Sequence, residues 1–324
     1  MINASQLKDL MREPNWADTS DETCLCVDFT KASYSRDEVR AVSKWLQRQA
    51  VPVIGLINSD EQIVDALDLL ANTESEVELL ASVIGQYPHA SAVLVHVTRV
   101  TMGLPIIAAL AIESLGYATL QGGEEFSRWL AGRGKARTDN SNISEPVVIE
   151  RQGAELSILL NSPGNRNALS VAMRDSLTEA FRLVAMDDSI EQVVVSGSGP
   201  CFSAGGDLTE FGISRDVAEA HRIRQLKMPA QYLAEHAERY SFKLHGACIG
   251  AGIELPAFAG HISATRQTFF RLPEVAMGLI PGAGGCVSIP RRIGRHRTNY
   301  LAITGMELSA DEALSWGLVD ELTD

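Results

Sequence analysis

Two glutamates, Glu254 and Glu274, stand twenty residues apart, the first just after the small-residue run Gly250-Ala251-Gly252 and the second directly behind Pro273. Burial moves carboxyl groups toward neutrality, so a pair of them in one poorly solvated site suits general acid–base work. Two such groups repel; one is then held protonated, and the pair titrates as a unit. The neighbouring glycines add a second capability. Gly205 and Gly206 lie in the run Cys201 to Leu208, where missing side chains let a ligand approach backbone N–H groups closely. Gly250 to Gly252 lead into a helical stretch, which aims the N–H groups around Ala251 outward with the positive end of the helix dipole. Taken singly, each feature has a plainer reading. Glycine pairs usually make tight turns, a carboxylate at a helix start gains about 0.3–1 kcal/mol from the dipole, and Glu274 suits a solvated loop.

The pattern of apolar residues supplies elements to carry these groups. Residues 1 to 137 begin with a strand over Thr23 to Phe29. A helix follows Ser35 with Val39, Val42, Trp45 and Leu46 at helical spacing, and a second strand covers Val51 to Ile57, which makes a βαβ unit. From Glu76 the pattern is mostly helical, with Pro105 in the first turn of one helix and Gly122-Gly123 before another over Glu124 to Leu130. The run Ala92 to Val100 suits either a strand or a buried helix. Polar, glycine-containing residues without periodicity place a linker at 138–146. Beyond it, Val147 to Glu150 and Leu156 to Leu160 read as paired strands, and Ser170 caps a helix with the stripe Met173, Leu177, Phe181 and Val184. Strands and helices continue to alternate, so residues 147–324 form an α/β region with a largely parallel sheet.

At 324 residues the chain exceeds one comfortable core, and two regions are expected. A net charge of −13 opposes binding to nucleic acid or to an anionic membrane. The five cysteines, Cys24, Cys26, Cys201, Cys248 and Cys286, have no CxxC spacing and no histidine at metal-ligand spacing, which favours a reduced, cytoplasmic chain without a metal site. The N-terminus has no secretory pattern. The most apolar stretch, Ala92 to Leu115, is interrupted by His96, Arg99, Gly103, Pro105 and Glu113, so no membrane span is expected.

Five segments in order carry a resemblance. They are LLNSPGNRNAL at Leu159 to Leu169, CFSAGGDL at Cys201 to Leu208, HGACIGAGIEL at His245 to Leu255, LPEVAMGLIPGAGG at Leu272 to Gly285, and the stretch Thr304 to Glu321 with its WGLVDE ending. The chain from about Val147 onward resembles the enoyl-CoA hydratase/isomerase (crotonase) family. The resemblance implies a crotonase-like core, a spiral of ββα repeats, with residues 1–137 as an N-terminal α/β extension: a lid or assembly region, or a degenerate copy of the fold. It implies an oxyanion hole from the N–H groups of Gly206 and Ala251. Glu254 activates water, Glu274 handles the alpha proton, and coenzyme A contacts Arg166, Ala168 and Ala204. The implied activity is reversible hydration of a 2-enoyl-CoA, with isomerisation or cleavage of an aromatic hydroxyacyl-CoA as alternatives within the family. A non-catalytic acyl-CoA-binding subunit is the alternative of another class. No cofactor is implied beyond the coenzyme A of the substrate, and the family's homo-oligomers, trimers or hexamers, are the expected assembly.

Four departures from the family pattern set expectations of their own. Ala251 replaces a usual glycine but keeps its N–H. Pro256 removes a helical donor close behind Glu254 and threatens to tilt it. His245 and His261, at positions of a usual Asn and Asp, read as packed or hydrogen-bonded rather than catalytic. The family usually continues into helices that close the acyl-CoA site and build the trimer, a task that residues 1–137 are the candidates to take over. The cluster Arg291, Arg292, Arg295, His296 and Arg297 reads as a solvated helix face at least as well as a phosphate site, and the loop from Ile213 to Tyr240 is expected to wall the acyl pocket.

Overall fold

The structure, a computed structural model, describes residues 1–18, 20–30, 34–57, 63–133, 145–213 and 216–324. Of the expected linker, residues 138–144 lie outside the described residues. The chain opens with β1 (Ile2–Asn3), α1 (Ala4–Leu10), β2 (Leu25–Asp28), α2 (Arg36–Leu46), β3 (Val53–Leu56) and β4 (Leu69–Ala71). Ser35 and Glu38 form a reciprocal capping box on α2, and Val42, Trp45 and Leu46 turn inward. The four strands pair in parallel in sequence order. One face of that sheet closes over its own small core of Leu7, Val27, Phe29, Trp45 and Leu46.

Four helices follow: α3 (Glu74–Gln86), α4 (Pro88–Thr101), α5 (Ile106–Gln121) and α6 (Glu124–Gly132). The ambiguous run Ala92 to Val100 lies inside α4. Pro88 starts that helix, and Ala90, Leu94, Val97 and Thr101 are buried at a spacing that a strand could not use.

The remaining chain builds β5 (Val147–Gln152), β6 (Glu155–Leu160), α7 (Val171–Met186), β7 (Gln192–Gly197), α8 (Val217–Lys227), α9 (Ala230–Glu235), β8 (Tyr240–Leu244), β9 (Ala247–Ile249) and α10 (Ala251–Glu254). It ends with β10 (His261–Thr265), β11 (Phe269–Arg271), α11 (Gly285–Ile293), α12 (Arg295–Thr304), β12 (Leu308–Ser309), α13 (Ala310–Trp316) and β13 (Glu321–Thr323). The larger sheet runs β13-β10-β8-β7-β6-β5, parallel except for the β5–β6 hairpin. A smaller sheet, β12-β11-β9, carries the two segments that lead to Glu254 and Glu274. Met173, Leu177, Phe181 and Val184 of α7 are all buried, as their spacing requires.

Helices α3 to α5 share one hydrophobic core with this C-terminal part: Leu94, Val97 and Leu110 join the same cluster as Ile280, Val287 and Leu301. Polar contacts pin the seam. Asp68, fully buried, accepts from Arg99 Nε at 2.8 Å and from Arg295 Nη1 at 2.8 Å, and its backbone carbonyl accepts from Asn299 at 3.0 Å. Thr98 donates to the Asn299 side chain at 2.9 Å, and Thr101 to the Cys286 carbonyl at 3.0 Å. The basic cluster is therefore not a free phosphate cradle, and only Arg297 of it is an exposed side chain. Arg291 donates to the Thr101 and Leu104 carbonyls, Arg292 pairs with Asp320, His296 meets the Val64 and Leu67 carbonyls, and Arg297 lies over the Trp316 ring.

Candidate active site

Two backbone segments form the floor of a cavity of about 370 Å³. The stretch 203–206 runs beside β9. Ser203 N–H donates to the Ala247 carbonyl at 3.3 Å, and Ile249 N–H donates to the Ser203 carbonyl at 3.1 Å. At Gly205 the approach leaves no room for a side chain, since a Cβ there would lie 2.6 Å from the Ile249 oxygen. On its other side the stretch is tied to residues 166–169: Ala204 N–H donates to the Arg166 carbonyl at 3.0 Å, and Gly206 bridges to Leu169. The Asn167 amide, fully buried, donates to the carbonyls of Ser198, Cys201 and Phe202 and so locks this corner. Gly206 and Ala251 both line the cavity, and among the described residues neither N–H has an acceptor.

Glu254 ends α10, which is a single turn. Pro256 has no N–H to continue the helix and instead starts a 3-10 turn over Pro256 to Phe258. The acid is nevertheless held, because its Oε2 accepts from Ala283 N–H at 2.7 Å and Gly285 N–H at 2.9 Å, and Ser288 donates to its carbonyl at 2.7 Å. The feared tilt is answered by the loop before α11. Glu274 faces it across Gly250: a Cβ there would lie 2.3 Å from Glu274 Oε1 and 3.6 Å from Glu254 Oε1. Gly250 sits at φ +49°, which favours a residue without a side chain. Glu274 Oε2 is buried and has no hydrogen-bond partner among the described residues. Burial pushes Glu254 up to about 7, with its two N–H bonds opposing. Glu274 is raised well above the ordinary carboxyl value, by burial first and by the charge of Glu254 second. The pair is thus one carboxyl group anchored by two N–H donors at the start of α11 and one whose Oε2 meets no partner among the described residues, both raised by burial.

A profile of the enoyl-CoA hydratase/isomerase family matches residues 150–323. The chain belongs to that family. It is 30% identical over 176 residues to the 2,3-dehydroadipyl-CoA hydratase of Escherichia coli, covering 54% of this chain and 68% of that protein. It is 32% identical over 196 residues to the mitochondrial Delta(3,5)-Delta(2,4)-dienoyl-CoA isomerase of Rattus norvegicus, covering 56% of this chain and 59% of that one. The fold is likewise that of solved enoyl-CoA hydratases. The one from Thermoplasma volcanium aligns with a TM-score of 0.51 at 36% identity over 55% of this chain and 72% of its own. Relatives named as hydratases and as isomerases are thus both represented, and a site of this kind fits either name.

The other wall of the cavity comes from α5, which precedes the family match, and from α8, which lies within it. Helix α5 contributes Tyr117 and Gln121, and α8 contributes Ala220, Ile223 and Arg224. Behind Tyr117, Glu113 is almost fully buried and accepts from Gly284 N–H at 2.8 Å and Cys286 N–H at 2.8 Å. Those donors interleave with the two that hold Glu254, so two carboxyl groups grip the four residues 283–286 between them. Burial, and then the charge of Glu254, raise Glu113 well above its ordinary value. Sequence reasoning noted Glu113 only as a break in an apolar stretch. A lone carboxylate at a helical core position is itself a signal of a buried role, since such a group is not buried without partners. Arg224 and Tyr117 had no such signal.

Ala168 and Ala204 come together beside Arg166, which is exposed at left-handed φ +59°. These three stand next to the Gly206 corner, outside the cavity lining. His245 Nε2 meets the Gly199 carbonyl at 3.0 Å, and His261 lies 3.5 Å from Glu321; neither lines the cavity. Among the described residues no cluster suited to a metal ion occurs, and no helix is long and apolar enough to cross a membrane.

Proposed function

We propose that the protein adds water reversibly to the double bond of a 2-enoyl-CoA, giving a 3-hydroxyacyl-CoA. The observation that carries this reading is the asymmetric glutamate pair. Glu254 is fixed through one oxygen by two N–H donors, while Glu274 presents a buried oxygen, Oε2, with no partner among the described residues. In the forward direction Glu254, ionised, takes a proton from water as the oxygen bonds to C3. Glu274, protonated, gives its proton to C2. Electron density reaches the thioester oxygen in between, and the N–H groups of Gly206 and Ala251 act there as the oxyanion hole, each donor contributing on the order of 3 kcal/mol in a dry site. Arg166, Ala168 and Ala204 form the edge along which coenzyme A lies. Hydration moves protons and no net electrons, so the reaction calls for no redox cofactor.

An isomerisation needs only one acid to carry a proton between carbons, so two converging acids favour hydration over the isomerase reading. A homo-oligomer is the assembly proposed by family membership, and light scattering at micromolar concentration tests it. The activity is tested by the loss of enoyl-thioester ultraviolet absorbance with product analysis, comparing the wild type with Glu254→Gln and Glu274→Gln. Loss of absorbance, with the 3-hydroxyacyl-CoA as product and suppression in both variants, supports the reading. A shifted double bond as the sole product overturns it in favour of isomerisation.

A further inference from the structure

The wall formed by α5 and α8 carries a cation whose charge is matched by no carboxylate at contact distance among the described residues. Arg224 lines the cavity from α8 and is half-buried. Its Nε donates to Ser114 Oγ at 3.1 Å, Nη1 to Gln121 Oε1 at 2.9 Å and Nη2 to the Ser114 carbonyl at 3.3 Å, and its guanidinium lies 4.6 Å from the Tyr117 ring centroid. Every one of these partners is neutral. Among the described residues no carboxylate forms an ion pair with it, whereas the comparably placed Arg99 and Arg295 share Asp68. Glu113 is near enough to be felt, but its oxygens are occupied by Gly284 and Cys286 N–H. Arg174, the other arginine on the lining, is already paired with Asp175.

We propose that Arg224 is the receptor for a carboxylate at the far end of the acyl chain, so that the preferred substrate is a 2-enoyl-CoA whose acyl group ends in an anionic carboxyl group. The inference rests on the acyl-CoA reading of the cavity and deepens it. Three hydrogen bonds and the ring beneath hold the guanidinium in place, so little side-chain entropy is lost when a ligand meets its remaining N–H donors. A carboxylate accepts from a guanidinium in a two-pronged, charge-assisted geometry. A neutral chain end closing the same cavity strips water from the cation and returns nothing, so the residue both attracts one class and penalises the other. The plainer role, a strut joining α8 to α5, uses the same three bonds and makes no distinction between substrates.

The test uses matched pairs of 2-enoyl-CoA thioesters of equal carbon count, one ending in a methyl group and one in a carboxylate, over a short series of lengths. The wild type is expected to favour the carboxylate member by roughly tenfold or more in kcat/KM at one length, mainly through KM, and Arg224→Met to bring that ratio toward unity or below. Calorimetric binding of the matching saturated acyl-CoA pairs reads the same preference without turnover, and Arg224→Lys, which keeps the charge but not the fork, retains only part of it. Equal treatment of the two members by the wild type in both kinetics and binding overturns the inference while leaving hydration intact. A ratio unchanged in Arg224→Met assigns the preference elsewhere and also overturns it. Absence of turnover with every thioester, with a binding preference that Arg224→Met removes, leaves this inference standing and overturns the hydratase reading instead.

Discussion

The cavity has two walls made by different means. The wall formed by residues 203–206, 250–254 and 274 presents mainly backbone N–H groups and two carboxyl groups, all drawn from short segments packed edge to edge around β9. The wall formed by α5 and α8 presents side chains on regular helices, with Tyr117, Gln121 and Arg224 facing in and Glu113 reaching behind to the 283–286 loop. The first can hold the part of a substrate common to all thioesters. The second meets whatever the acyl chain brings. On the proposed reading, reaction and selectivity fall to different stretches of chain, and residues 283–286, gripped by both Glu254 and Glu113, join them.

The largest expected effect falls on the first wall. Glu274→Gln and Glu254→Gln each lower kcat for enoyl-CoA hydration by about 10²–10⁴, measured from the absorbance of the enoyl thioester. A loss confined to KM breaks the assignment of chemistry to that wall. Next comes the seam that carries the second wall. Asp68→Asn leaves Arg99 and Arg295 without their shared carboxylate and is expected to cost about 3–5 kcal/mol in urea unfolding. Turnover per folded molecule is expected to stay within about twofold. A parallel fall in kcat shows the two walls to be inseparable.

A third effect concerns pH and the first wall alone. Glu254 titrates at 4.5 in the ordinary case and at about 7 here, so between those values the folded state holds a proton that the unfolded chain has released. Its contribution is present in full below 4.5 and is lost as pH rises to about 7. Glu254→Gln should flatten the fall in unfolding free energy across that window by on the order of 3 kcal/mol. In activity, the rising limb of the pH profile should lie near 7, with a falling limb above it as Glu274 loses its proton. The smallest expected effect sharpens the comparison at the joint. Glu113→Gln leaves one of the Gly284 and Cys286 N–H groups facing a donor, for about 1–3 kcal/mol of stability, and should lower kcat roughly tenfold by loosening the loop that holds Glu254. An unchanged kcat restricts Glu113 to stability.

Much of the first wall was legible in the sequence. Short contiguous motifs make backbone geometry, and backbone geometry demands glycine where chains meet. The five family-like segments therefore point to Gly206, Ala251, Glu254 and Glu274 as one group, and Ser35, Ser170 and Pro105 mark helix starts by their own side-chain chemistry. The second wall was not legible. Glu113 meets Gly284 across 171 positions, and Arg295 meets Asp68 across 227, so neither partner leaves a trace in its own neighbourhood. The same distance explains why the arginine run near 291–297 looked solvated: its carbonyl and carboxylate acceptors lie largely in segments that only folding brings near. The sequence by itself determined most of the strands and helices, and which backbone and acidic groups gather on the face proposed to react, because those depend on local conformation and local spacing. Tertiary structure alone decided what stands opposite that face, because the burial that raises the three glutamates, and the neutral partners that meet Arg224 among the described residues, are properties of packed neighbours.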